Sequence, residues 1–169
     1  MEWKADTFLA ANGDRHMLLK VGAAVFYRNK DKKTEGEGIL CSITAVLGEG
    51  KQRRYIHKVA CSKIIILINL RFEIQDADPE PDDDGNMPAP YRASINSLVP
   101  IPMTTSGLAE FTRGKQVYAL YPDSTTFYKA EMRGMKTKDI CRLRFEGEEE
   151  RDKEMEVERR YVLDTSQVK

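Results

Sequence analysis

Two stretches of this chain spell the same series of short apolar runs, and that repeat limits the folds open to it. In the first stretch the runs fall at residues 24–28, 39–47, 72–75, 91–95 and 98–101. In the second they fall at 115–121, 127–133, 141–145 and 156–163. The pattern is plainest where Cys141, Leu143 and Phe145 alternate with Arg142 and Arg144. A period of two, with one apolar and one charged face, is what a half-buried strand requires. Val117, Ala119 and Tyr121 share a face in the same way. Polar loops (29–38, 122–126) and turns (48–51, 134–139) separate the runs. Residues 39–78 match 127–148 in order, once one segment is set aside. A repeat of short strands points to an all-β protein of two tandem SH3-like barrels. Each repeat is about 55–75 residues, a size marginal on its own, so the barrels are expected to pack together. The expected division is a tail over 1–19, a first barrel over 20–102, a linker around 102–107 and a second barrel over 112–164.

The segment set aside is residues 55–71, YIHKVACSKIIILINLR. Its character is wrong for a turn between two strands. Deleting it joins Arg54 to Phe72 and leaves a short turn running into a strand. It reads either as an inserted, partly buried strand or as an intron translated in frame, and the compositional break favours the intron. The longest apolar run in the chain, Ile64-Ile65-Ile66-Leu67-Ile68, lies here. It is far short of the about 20 residues that cross a bilayer. Residues 1–6 lack a signal-peptide layout. No membrane partner is expected.

Lys and Arg number 27 and Asp and Glu number 27, so the net charge is zero. Binding to phosphate backbones draws on an excess of Lys and Arg, so direct nucleic-acid binding is not expected. Three widely spaced cysteines, Cys41, Cys61 and Cys141, fit a reducing compartment and have no zinc spacing. The two histidines, His16 and His57, fall in the tail and in the suspect segment, which leaves no triad or metal site. Gly48-Glu49-Gly50-Lys51 lacks the spacing of a phosphate loop and reads as a hairpin turn. No enzyme and no cofactor are expected.

The chemistry that remains is aromatic and acidic. Tyr121 and Tyr128 flank a short loop at the ends of adjacent strands, and Phe145 ends the next strand beside Glu146, Glu148, Glu149 and Glu150. Three rings at one barrel rim with carboxylates alongside form a cation site, because ring faces carry negative quadrupole density. The same spacing also suits ordinary barrel core. In the first half, Asp76 and Asp78 stand on alternate positions at the end of the matching strand. Paired carboxylates there suit an ammonium group such as a free amino terminus. A solvated acidic loop has the same spacing.

Three strings carry a resemblance. Ala119-Leu120-Tyr121-Pro122-Asp123-Ser124-Thr125-Thr126-Phe127-Tyr128-Lys129-Ala130, Arg142-Leu143-Arg144-Phe145-Glu146-Gly147-Glu148 and Arg159-Arg160-Tyr161-Val162-Leu163 resemble the second Tudor domain of the SAGA-associated factor 29 family. Val21-Gly22, Val25-Phe26-Tyr27 and the string from Phe72 to Glu80 resemble its first. The likeness covers roughly residues 20–163 and breaks at the set-aside segment. The resemblance implies tandem Tudor barrels packed face to face, in a subunit of the nuclear SAGA histone acetyltransferase co-activator complex. It implies reading of histone H3 tails di- or trimethylated on the lysine at tail position 4, with other subunits of the acetyltransferase module as partners. By that resemblance Tyr121, Tyr128 and Phe145 are the methyl-lysine cage. Asp123 and Thr125 position the peptide, and Asp76 and Asp78 hold the tail's amino-terminal alanine. The chain departs from the family at Gly147, where an acidic residue is common, so that contact falls to Glu146 or Glu148. The family's amino-terminal docking region is also longer than residues 1–19, as a truncated gene would leave it.

Overall fold

The computed structural model describes residues 19–28, 36–47, 71–148, 150 and 153–168. His16, His57, Cys61 and nearly all of the segment read as an insert or intron lie outside the described residues. Its last residue, Arg71, is the exception: it opens a strand, pairing with Leu47 on one side and Ser94 on the other.

Ten strands are found among the described residues, and they fall into two sets of five. The first set is β1 (Ala24–Tyr27), β2 (Gly38–Leu47), β3 (Arg71–Asp76), β4 (Tyr91–Ser94) and β5 (Leu98–Pro100). The second is β6 (Gln116–Leu120), β7 (Thr126–Met135), β8 (Ile140–Phe145), β9 (Met155–Glu158) and β10 (Val162–Asp164). Within each set the antiparallel order is the same, β5-β1-β2-β3-β4 and β10-β6-β7-β8-β9. A 3-10 turn, Ile95–Ser97 or Arg159–Tyr161, precedes each last strand. The second strand of each set carries a bulge, between Ile43 and Ala45 and between Met132 and Gly134. A bulge bends a long strand, which lets it belong to both walls of a small barrel. The tandem-barrel expectation is met.

Two sequence expectations are corrected here. The turn expected over 134–139 starts later, because β7 runs on to Met135 with Gly134 at the bulge. The run at 156–163 is two strands, because the 3-10 turn at Arg159–Tyr161 breaks it.

Three apolar clusters follow from strand alternation. Val25, Tyr27, Cys41, Ile43, Phe72, Ile74 and Leu98 fill the first barrel. Val117, Ala119, Ala130, Met132, Cys141, Leu143, Phe145 and Val162 fill the second. Burial pushes the Cys41 thiol up to about 12 and the Cys141 thiol up to about 11, so both are packing groups rather than nucleophiles. The third cluster joins the barrels and comes from the opposite faces of the same strands. It holds Phe26, Val99, Tyr118, Phe127, Leu163 and Val168. The Phe26 ring lies parallel to Tyr118 at 6.5 Å and edge-on to Phe127 at 5.1 Å. β2 also pairs with β7 at Gly38↔Phe127 and Ile39↔Thr126. Gly38 is required there, since a Cβ would stand 2.4 Å from the Phe26 ring. Neither barrel therefore closes its apolar surface without the other.

Candidate functional site

The loop between β6 and β7 is built first by its backbone. Pro122 at the second position of the turn and Asp123 with φ +57 at the third follow the type II pattern. The Ser124 amide donates to the Tyr121 carbonyl at 3.2 Å, and the Tyr121 amide donates to the Thr126 carbonyl at 2.9 Å. The Ser124 hydroxyl donates back to the Tyr121 carbonyl at 3.0 Å. This tight loop holds Tyr121 and Tyr128 at the same barrel end. Asp123 contributes its left-handed backbone, a conformation that Asp tolerates better than most residues.

The three rings come together. Tyr121 and Tyr128 meet edge to face with centroids 5.8 Å apart. Tyr121 lies 5.0 Å from Phe145 at an interplanar angle of 59°. Phe145 is 3% exposed and belongs to the barrel core, while the two tyrosines are half-buried. The rings are thus neither all core nor all surface: Phe145 is a floor and the tyrosines are walls. They line an open concavity of about 400 Å3, completed by Glu146, Gly147, Glu148, Glu150 and Lys153.

One carboxylate is tied into the aromatic wall. The Tyr121 hydroxyl donates to Glu148 Oε1 at 2.7 Å, and Lys153 Nζ donates to Glu148 Oε2 at 3.4 Å. The Glu148 side chain is only 16% exposed. The Tyr121 hydroxyl, assisted by Lys153, holds the Glu148 carboxyl below its usual range. The same bond pushes the Tyr121 phenol up, and Glu148 pushes the Lys153 ammonium up. Glu148 is therefore an anion and Tyr121 a neutral ring throughout the neutral range. Glu146 and Glu150 are exposed on the rim.

The first barrel supplies the other carboxylates next door. Asp76, half-buried at the end of β3, accepts from the Thr125 hydroxyl at 3.3 Å. Asp76 Oδ1 also accepts from the Asp78 amide at 3.1 Å. β3 ends at Asp76, so Asp78 sits in a bend beyond it and is exposed, and strand alternation does not govern its side chain. Thr125 thus links the acidic end of the first barrel to the loop that carries the tyrosines.

Residues missed by sequence reasoning support this face. Gly36 has φ +75, and a Cβ there would stand 2.5 Å from Thr126 and 3.3 Å from the Tyr128 ring. The 36–38 segment of the first barrel thus packs directly behind Tyr128, a wall of the concavity. Glu37 pairs with Arg28 at 3.2 Å and with Lys129 of the second barrel at 3.5 Å. Lys153 was missed as well. The glycines of the 29–38 loop were visible in the sequence, but their contact across barrels was not. Among the described residues no group of three or more His, Cys, Asp and Glu could hold a metal.

Comparison with known proteins shows the family of the chain. The profile of the SGF29 tudor-like domain matches residues 61–166, more than half of the chain, and its match begins inside the segment set aside above. The SAGA complex subunit Sgf29 of Schizosaccharomyces pombe is 41% identical over 129 residues, which covers 76% of this chain and 45% of that protein. The SAGA complex subunit SGF29 of Saccharomyces cerevisiae is 38% identical over 143 residues, covering 85% of this chain and 47% of that protein. The chain spans about half the length of these curated relatives. A crystal structure of Arabidopsis thaliana AGDP1 AGD34 aligns over 88% of this chain and 83% of that one, at 13% identity and a TM-score of 0.45, a likeness too slight to weigh.

Proposed function

Because the chain belongs to the SGF29 tudor-like domain family, we propose that it is a chromatin reader of the amino-terminal tail of histone H3. Its ligand is the tail di- or trimethylated on the lysine at position 4. It acts in the nucleus as a subunit of the SAGA histone acetyltransferase complex, without an active site of its own. The observation that carries this reading is the open three-ring concavity rimmed by carboxylates. A purely structural barrel has no need of two half-buried tyrosines as the walls of an open concavity.

A methylated ammonium is large, weakly hydrated and positive, and it gains roughly 0.5–2 kcal/mol from a good ring face. Tyr121, Tyr128 and Phe145 supply those faces, and Glu148 with Glu146 supplies the counter-charge. Asp76, with Asp78 beside it, takes the free amino terminus. Thr125 keeps the loop and Asp76 in register, with Asp123 setting the turn. Neither pocket has to be strong. Once one end of a short peptide is held, the other meets its pocket at a high effective concentration. The acidic rims suit a basic tail and steer it.

The test is Tyr128→Ala, with circular dichroism as the control for folding. The expected result is a folded protein that binds trimethylated and unmodified H3 peptides equally, a loss of about tenfold or more in methyl preference. An unfolded variant would make Tyr128 core. A folded variant that keeps its preference would take Tyr128 out of the cage, and a wild type that binds both peptides equally would return the protein to a scaffold that contacts partners without reading methylation.

A further inference from the structure

Lys153 is a cation at the mouth of a site built for cations. It lines the concavity with the three rings and donates to Glu148 Oε2 at 3.4 Å. Glu148 is the carboxylate that touches a cage ring, and its other oxygen is taken by the Tyr121 hydroxyl at 2.7 Å. Its side chain is more shielded from water than that of Lys153, 16% against 41% exposed. Glu146 and Glu150 are exposed, so Glu148 is the most shielded carboxylate of the concavity, where a hydrogen bond counts most.

Lysines in different methylation states differ in what they ask of such an acceptor. Mono- and dimethyl-lysine keep N–H groups that must find a partner when they leave water. A trimethyl-lysine has none, so it asks only for ring faces and a nearby negative charge. A free Glu148 would reward the less methylated forms. A Glu148 with a donor on each oxygen offers them a shared acceptor, while its charge still reaches the quaternary form.

Resting on the reader function above, we propose that Lys153 sets the methylation-degree preference of the cage. By sharing Glu148 it competes for the acceptor that N–H-bearing lysines use and biases the site towards the trimethylated form. Lys153 stands outside the three rings, and its flexible stem lets it swing aside, so it tunes the choice among ligands without forming the cage.

The experiment is calorimetric titration of the full chain with H3 tail peptides mono-, di- or trimethylated at position 4, and unmodified. Wild type, Lys153→Met and Lys153→Arg are compared. Lys153→Met removes the donor and keeps an apolar stem, whereas Lys153→Arg keeps both charge and donor. The expected result is that Lys153→Met tightens the monomethyl peptide more than the trimethyl one. The trimethyl-to-monomethyl ratio then narrows roughly 3-fold or more, the net size of one hydrogen bond. Lys153→Arg keeps the wild-type ratio. If Lys153→Met shifts all peptides by one factor, or Lys153→Arg behaves like Lys153→Met, Lys153 is only a rim charge and the inference fails while the reader function stands. If wild type itself binds methylated and unmodified peptides equally, the reader function fails and this inference with it.

Discussion

The two barrels share a strand order and a register and differ at the position that matters. β3 and β8 are each six residues long and occupy the same place in their barrels. Phe72 and Ile74 point into one core as Cys141 and Leu143 point into the other. At the last residue the copies part: β3 ends in Asp76, paired with Cys41, and β8 ends in Phe145, paired with Ala130. One barrel thus presents a carboxylate at its rim and the other the floor of an aromatic pocket. A shared fold fixes where a rim residue stands. On the function proposed above, the residue type there sets which cation each rim takes, a hydrogen-bonding amine or a methylated one that asks for ring faces.

The largest expected effect is on what the barrels have in common. Phe26 is fully buried between Tyr118 and Phe127 in the joining cluster. Phe26→Ala is expected to destabilise the protein by about 3–5 kcal/mol. Both barrels should unfold in one transition in urea, since neither has its own closed surface. Two separate transitions would show that the barrels are independent.

A smaller effect is expected where the copies differ in construction. Arg159 opens the 3-10 turn of the second barrel, where the first barrel has Ile95. Its buried guanidinium donates to the Ala109 carbonyl at 2.6 and 2.9 Å and to the Val162 carbonyl at 2.9 Å, and it lies 4.0 Å over the Phe111 ring. It fastens the inter-barrel segment to the second barrel. Arg159→Ala is expected to cost about 2–3 kcal/mol, because hydrogen bonds to a charged group are lost and carbonyls are left without partners. A denaturant midpoint equal to wild type would refute this role.

The smallest effect sharpens the comparison at the rim. Asp76→Asn keeps an oxygen for the Thr125 hydroxyl and removes the charge. It is expected to weaken an H3 peptide with a free amino terminus about tenfold, roughly 1.4 kcal/mol, and to leave an acetylated one nearly unchanged. Equal losses for both peptides would remove Asp76 from any amine pocket.

Much of this was legible in the sequence because strands announce themselves by period two. The alternation at Cys141, Leu143 and Phe145 located β8, and the repeat located both barrels. The three rings and Asp76 were legible because they lie at or next to strand ends beside loops. What stayed hidden depends on contact between copies. Val117, Ala119 and Tyr121 read as one face of a strand, but Tyr118 on the other face is buried too, against the first barrel. One strand's pattern cannot reveal a second partner. Gly134 read as a turn because a bulge and a turn use the same residue. Arg159 gave no sign of its burial, since arginine is normally exposed and its carbonyl partner is 50 residues away. Lys153 looked like one charge among many until the fold set it beside Glu148.

The central claim is that two cations of one peptide are held by two barrels. Calorimetric titration of the intact chain with four H3 peptides tests it most directly. The peptides are free or acetylated at the amino end, and trimethylated or unmodified at position 4. The free, trimethylated peptide is expected to bind tightest, each change alone to weaken binding, and both together to weaken it most. Four equal affinities, or a loss that follows only one of the two groups, would contradict it.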